Sequence, residues 1–417
     1  MNRVFQQAVL ESYLKNKDDF RALLLREYPT FVYRRVGHIM DGEIPVFTFH
    51  SVEARQLESQ LRYLSDNNYV TLNADELYEA LTRRRKVPPN AVVLTFDDGR
   101  GSLWSIAYPL LKKYGFCAIS FIVPFWIRES PERYPNLVDV WEGRARLEEL
   151  EQREGHAPLC CWQEIREMSR SGVIDFQSHS SYHHSIYVSN KIADFINPSF
   201  RPSFLCSYLN PVVRRNGEDV FLEELEWGHP IYEWAPALSG RTRYIEDERL
   251  TGDCIASVKQ AGGASFFRRS DWRKKLRTVI KDLTSRDETM GRSETQTEKH
   301  LRIQNDLAAS KQLIEDKLNT QVRHLCYPWY VGSQLAVELS QKVGYVANYW
   351  GILRDRASAR IDCDPFYIGR VNDDYIITLP GRGRTSLFHL LLKKFLVNVQ
   401  RNWRKHAQLS IRHRVSL

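Results

Sequence analysis

Two runs of residues have the types and spacing to do chemistry. Thr95-Phe-Asp-Asp-Gly99 sets two carboxylates side by side, directly after the apolar run Ala91-Val-Val-Leu-Thr-Phe96. Adjacent carboxylates leaving a buried strand repel each other unless a cation or a proton intervenes. His179-Ser-Ser-Tyr-His183-His184 places two imidazoles four residues apart, following Val173-Ile-Asp-Phe176. That spacing lets both rings present a nitrogen on one side of a short helical turn. No Glu follows His179, so this is not the H-E-x-x-H protease pattern. Each run also has a plain reading: an Asp-Asp-Gly turn with a helix cap, and a core or surface His pair. Their equivalent places at strand ends favour chemistry. One of the two carboxylates with His179 and His183 would then hold one divalent ion with coordination positions open to water and substrate, and the neighbouring carboxylate would act as a base.

The elements that must position these residues alternate. Apolar Ile44–His50 reads as a strand and Glu53–Asp66 as a helix, with Leu57, Leu61 and Leu64 at helical spacing. Tyr69–Leu72 reads as a short strand, and the helix Asn73–Arg84 follows with Asn73 as its cap. Ala91–Phe96 and Cys117–Val123 are continuous apolar strands of the kind buried on both faces, separated by a helix over Ser102–Tyr114. Trp162–Ser171 reads as a helix and Val173–Phe176 as a strand. Towards the end come the helix Ser310–Leu318, the strand Val322–Tyr327, the helix Ser333–Val343 and the strand Tyr345–Tyr349. This rhythm predicts an α/β fold with a mainly parallel sheet, and six or more such strands favour a barrel. In a parallel barrel the strand C-terminal ends face the active site.

The rhythm breaks between about Tyr187 and Thr297, where Pro198, Pro202, Pro211, Pro230 and Pro236 mark a long insertion of loops and short helices. Trp227-Gly-His-Pro-Ile-Tyr-Glu-Trp234 within it carries aromatics that could stack on sugar rings or simply pack. The polar stretch Asp287–Lys299 reads as exposed. Three parts are therefore expected: an N-terminal helical segment over 1–43, a barrel over 44–375 with its insertion at about 187–297, and a basic tail over 376–417.

Composition narrows the partners. Apolar residues make up 43% of the 417 and charged residues 26%, which excludes disorder over the whole chain. The net charge is +8, yet no Lys/Arg block or nucleic-acid motif accompanies it, so nucleic acid is not an expected partner. Seven cysteines without a C-x-x-C pair suggest neither a disulfide framework nor a zinc knuckle. No secretory signal and no apolar run near ~20 residues is evident, so the expected setting is cytoplasmic, peripheral to the inner membrane at most. Ser386–Arg404 sets Leu387, Leu390, Leu391 and Phe395 beside Lys393, Lys394 and Arg401. Such a basic amphipathic helix can dock on the barrel or lie on an anionic membrane surface.

Thr95-Phe-Asp-Asp-Gly99 together with His179-Ser-Ser-Tyr-His183 resembles the first two motifs of the polysaccharide deacetylases, the NodB-homology family. The resemblance covers roughly Pro45–Tyr349 apart from the insertion. It implies a distorted (β/α) barrel and removal of N- or O-acetyl groups from a carbohydrate substrate. It further implies Asp97 as general base and Asp98, His179 and His183 as ligands to one metal ion, with zinc the physical default and iron, cobalt or nickel as alternatives. His324-Leu-Cys-Tyr-Pro328-Trp329 is similar to a later family motif, which gives Tyr327, Pro328 and Trp329 as substrate-binding residues. Cys326 stands where many members carry the Arg that orients the base, and another Arg or a water would have to supply that role. The resemblance implies a general acid as well: His50, ending the first strand, is preferred over His389 in Leu387-Phe-His-Leu-Leu391. His229 in the insertion has no assigned place. The expected activity is deacetylation of an N-acetylated carbohydrate, and the alternative is an inactive carbohydrate-binding relative.

Overall fold

The computed structural model describes residues 21–22, 24–33, 42–199, 211–215, 218–221, 224–284, 291–353, 359–397 and 399–400. In chain order the principal elements are β1 (Val46–Phe49), α1 (Ala54–Asp66), α2 (Ala74–Leu81), β2 (Ala91–Asp97), α3 (Tyr108–Tyr114), β3 (Ala118–Ile122), α4 (Trp162–Arg170) and β4 (Ile174–Ser178). Then come β5 (Ser185–Phe195), β6 (Pro211–Arg215), β7 (Glu218–Val220), β8 (Pro230–Pro236), α5 (Glu248–Gln260) and α6 (Trp272–Thr284). The chain continues through α7 (Gln296–Leu318), β9 (His324–Cys326), α8 (Gln334–Val343), β10 (Ala347–Tyr349) and β11 (Val371–Asn372).

One sheet runs in the order β10-β9-β4-β3-β2-β1-β11, with Val70–Thr71 paired to β2 off this path. The pairings β9–β4, β3–β2, β2–β1 and β1–β11 are all parallel. Tyr349, ending β10, forms a parallel bridge with Ile368 just before β11, so the strand order turns back on itself. Helices intervene between successive strands. This is the α/β class and the distorted (β/α)-barrel arrangement that the sequence predicts. No described helix is long and apolar enough to cross a membrane.

The chain divides into two compact units: Met1–Phe121 with Ile127–Phe176 and Tyr349–Leu417, and Ile122–Trp126 with Gln177–Asn348. In the first unit β2 is buried along its entire length, as its Val/Leu/Phe run requires. Asn73 caps α2 through a capping box with Glu76, its side chain accepting from the Glu76 amide at 2.9 Å. The expected helix Ser102–Tyr114 is in two parts, a wide π-type turn over Leu103–Ala107 followed by α3. Such a bulge is a common mark of a functional neighbourhood, and this one directly follows the Asp-Asp-Gly turn.

The second unit corrects the reading of the insertion. Instead of loops and short helices, it contains a four-stranded sheet in the order β8-β5-β6-β7 and two helices of 13 residues each. Tyr187, Ile231 and Tyr232 belong to one buried apolar cluster, and Phe195, Leu250, Trp272 and Leu276 to a second. The prolines misled because Pro211, Pro230 and Pro236 stand at strand ends, where a missing amide is tolerated. The helix expected over Ser310–Leu318 begins at Gln296, so Asp287–Lys299 is not simply an exposed polar stretch. Thr295 and Glu298 form its capping box. Its buried face is narrow, Ile303, Leu307, Ser310 and Ile314, which hides the helical period in the sequence.

Nothing in the fold tests the division at 43 and 375. Residues 1–20 and 401–417 lie outside the described residues, and with them Arg401, Arg404 and the end of the proposed basic helix. Residues 387–397 are helical.

Candidate active site

In the first unit Asp97 is the last residue of β2 and is 2% exposed. Its carboxylate receives two parallel hydrogen bonds from Arg370, Nη1 to Oδ1 and Nη2 to Oδ2, both at 2.8 Å. Arg370 is itself buried and is held by three further contacts. Nη1 donates to Thr95 Oγ1 at 2.9 Å, Nε donates to the Trp350 carbonyl at 3.1 Å, and the guanidinium sits 5.5 Å from the Phe121 ring centre. A planar fork seated in this way fixes the orientation of its carboxylate. Arg370 thus orients the Asp97 carboxylate from a position other than that of Cys326. It was missed because it stands 273 residues from Asp97; the available signal was an Arg immediately before the short apolar strand that pairs with β1.

Asp98 turns away from the strand with φ of 70°, and Gly99 follows in the same left-handed region at 68°. A non-glycine residue held there costs on the order of 1–2 kcal/mol and is a marker of functional constraint. Arg100 grips one oxygen of Asp98, with Nε at 3.0 Å and Nη2 at 2.7 Å from Oδ2. That contact fixes the carboxylate plane. His50 lies just past β1 and is exposed. Phe49 pairs with Phe96 in parallel register, so His50 and Asp97 occupy the same level on adjacent strands.

In the second unit His179 and His183 stand at the end of β4 with ring centres 4.9 Å apart, and both are buried. His179 Nδ1 lies 2.9 Å from the carbonyl oxygen of Cys326. A carbonyl can only accept, so Nδ1 carries the proton and Nε2 presents the lone pair, the tautomer a metal ligand needs. Cys326 therefore contributes a backbone acceptor. The His183 amide donates to Ser180 Oγ at 3.0 Å, and its ring packs between Trp126 and Trp329, at 5.4 and 4.3 Å. Ser180 and His183 have φ of 65° and 50°, so the loop is held in a conformation that non-glycine residues avoid. Asp306 of α7 anchors it: Oδ1 accepts from the Ser181 amide at 3.2 Å, and its carbonyl accepts from Ser181 Oγ at 2.6 Å.

The expected substrate-binding trio divides. Tyr327 is fully buried, its hydroxyl accepting from Asn348 Nδ2 at 2.8 Å, and Pro328 is buried as well. Neither side chain is exposed in the structure. Trp329 alone of the three is partly exposed, in a left-handed conformation with φ of 50°. His229 is buried, its Nε2 3.3 Å from Glu246 Oε2. His389 is exposed and its Nδ1 lies 2.7 Å from Ser386 Oγ, within its own helix turn.

Residues 84–198 match the sequence profile of the family described as polysaccharide deacetylase. This part of the chain is similar to the polysaccharide deacetylases. The matched stretch contains Asp97, Asp98, His179 and His183, and ends inside the insertion. Among curated proteins the chain is similar to poly-beta-1,6-N-acetyl-D-glucosamine N-deacetylase of Escherichia coli strain K12, 29% identical over 143 residues, covering 34% of this chain and 20% of that protein. It is also similar to the enzyme of the same name from Staphylococcus aureus strain MRSA252, 28% identical over 144 residues, covering 34% of this chain and 41% of that protein. The chain thus spans a fifth to two fifths of the length of these relatives. Similar solved structures include a de-N-acetylase from Aggregatibacter actinomycetemcomitans (17% identity, 84% of this chain and 99% of that chain, TM-score 0.47) and the BpsB deacetylase domain from Bordetella bronchiseptica (17% identity, 81% and 97%, TM-score 0.48).

Proposed function

We propose that this polysaccharide deacetylase relative hydrolyses the acetamido group of an N-acetylated glycan, using one divalent metal ion held by Asp98, His179 and His183. The observation that carries the reading is the buried clamp of Arg370 on Asp97, which with its neighbour Asp98 lies in the stretch matched to the family. An ionised carboxylate fixed in direction but kept out of bulk water is what a general base for water attack requires.

Two imidazoles and one carboxylate suit zinc first, with iron, cobalt or nickel as alternatives. The His179 tautomer set by Cys326 and the Asp98 orientation set by Arg100 fit such a donor set. A bound divalent ion polarises the acetyl carbonyl and brings the pKa of a coordinated water towards about 7.

The residues of the chain do the rest. Asp97 accepts the proton lost by the attacking water while Arg370 keeps its oxygens aimed. Water oxygen bonds to the acetyl carbon, the carbon–nitrogen bond breaks, and the leaving nitrogen takes a proton from His50. The products are acetate and a free amino sugar. Trp329 offers an apolar face to the sugar ring. The names of the curated relatives, which specify an N-acetylglucosamine polymer, support the N-acetyl class. An inactive carbohydrate-binding role draws on an Arg missing at position 326 and on an unassigned general acid; Arg370 speaks against the first ground.

The test is acetate release from β-1,6-linked N-acetylglucosamine oligomers by the metal-loaded chain, with Asp97→Asn as control. Release that falls at least about a hundredfold in the variant supports the reading. Equal release from both, or none from any N-acetylated glycan, overturns it.

A further inference from the structure

Most of the second unit lies beyond residue 198, where the family match ends, and it builds a cleft of its own of about 740 Å³. That volume is in the range of a site for a small ligand, ~300–1,000 Å³. One wall is the loop after β4, which turns His183 one way and gives Tyr182 and His184 to the cleft. The others are the chain around Arg243 and the face of α7 bearing Arg302, Asn305 and Ala309.

The chemistry of the walls selects a class of ligand. Arg243 is bound to Asp219 at 3.1 and 3.3 Å, and Arg302 to Glu294 at 3.0 and 2.8 Å. Each of these guanidinium charges is met by a carboxylate, so the cleft is poorly suited to a simple anion. The same pairing locks flat polar groups in place, with little rotamer entropy left to lose on binding. His184 is 93% buried, reckoned from its 7% exposure, and neither ring nitrogen has a hydrogen-bond partner in the structure. Arg243 Nε is likewise buried without a partner. These atoms are sealed beneath the cleft surface, so the groups that can meet a ligand are the paired Arg and carboxylate side chains of the walls. At the rim, Phe125 and Tyr182 stack with ring centres 4.4 Å apart, and Phe125 is 43% exposed. Directional hydrogen bonds from fixed planar groups beside an aromatic face suit a neutral, hydroxyl-rich ring.

We propose that this cleft is a second sugar-binding site, which takes residues of the glycan chain beyond the one that loses its acetyl group. The inference rests on the deacetylase reading for the identity of the chain, and adds that the insertion makes the protein selective for longer glycans. The loop from His179 to His184 links the two functions, since it carries both proposed metal ligands and part of the cleft wall.

The experiment uses the metal-loaded full chain and β-1,6-linked N-acetylglucosamine dimer and hexamer. Ala309→Trp narrows the cleft from a partly exposed position on α7 that makes no polar contact, and Asn305→Trp, on the same exposed face, is an independent second narrowing. Binding is measured by calorimetry in an Asp97→Asn background, and turnover in the active chain. The hexamer is expected to bind at least about tenfold more tightly than the dimer, with that advantage lost in either narrowed variant. In turnover the narrowed variants raise KM for the hexamer and leave kcat and the dimer unchanged. Acetate release with no length preference, or a preference untouched by both substitutions in folded protein, overturns the cleft and leaves the deacetylase reading standing. Cleft-dependent binding of the hexamer without acetate release has the opposite meaning: the sugar site stands and the deacetylase reading falls.

Discussion

Arg370 and Asp97 meet fork to fork, two hydrogen bonds of 2.8 Å between side chains 0% and 1% exposed. Removing either member of such a buried pair leaves the other charge uncompensated, at a cost of about 3–5 kcal/mol. Arg370→Met is therefore expected to lower stability by that order, measured by denaturant unfolding. Asp97→Asn/Arg370→Met is expected to lose less than the sum of the single changes. Additivity within about 0.5 kcal/mol would mean that the two do not act as a unit. In turnover, Arg370→Lys is expected to lower kcat with little change in KM, because a point charge cannot reproduce the bidentate fork.

Gly101 shows how tightly the chain after the Asp-Asp-Gly turn is packed. A Cβ there would lie 2.7 Å from Arg153 Nε and 2.9 Å from the Ala157 carbonyl oxygen. Arg153 cannot yield easily, since it is buried in a 2.8 Å ion pair with Glu164 and also bonds the carbonyls of Ala157 and Leu159. Gly101→Ala is expected to destabilise the protein by about 1–3 kcal/mol, the range for overpacking. A melting temperature equal to that of the parent would show that the segment yields freely.

Asp306 gives a pH dependence with a definite sign. Burial pushes its carboxyl up from 3.8 to about 6, partly offset by the Ser181 amide and the Arg302 charge, with Asp219 adding to the rise. A folded-state pKa above the unfolded one makes the folded state the stronger proton binder between those values. The stabilisation is complete below about pH 4 and is lost as pH rises through 6. Asp306→Asn keeps an acceptor for the Ser181 amide and has no charge to bury. It should therefore gain in melting temperature relative to the parent as pH goes from about 4 to 7. A constant difference across that range would contradict the assignment.

The sequence exposed the carboxylates and histidines because each follows an apolar run whose burial forces the next residues to a strand end. Asp97–Asp98 after β2 and His179–His183 after β4 could be read from that pattern. Arg370 could not, because its meeting with Asp97 depends on β11 pairing with β1, Val371 against Phe47, and no local spacing encodes that register. The insertion was obscured for another reason. β5 is buried over its first three residues, then mixes exposed and partly exposed positions before a buried last residue along a bulged pairing with β8, so no clean two-residue period survives. The burial of Tyr327 was not legible either, because a Tyr-Pro-Trp turn shows which residues reverse the chain and not which of them face the core.

The metal site is the centre of the account. The most direct measurement is acetate release from the β-1,6-linked N-acetylglucosamine hexamer, before chelation, after chelation and after return of zinc, alongside metal content for the parent and for Asp98→Ala, His179→Ala and His183→Ala. The account predicts one metal ion per parent chain, release abolished by chelation and restored by the metal, and little metal or release in any of the three variants. Release that survives chelation, or full metal content in all three variants, would contradict it.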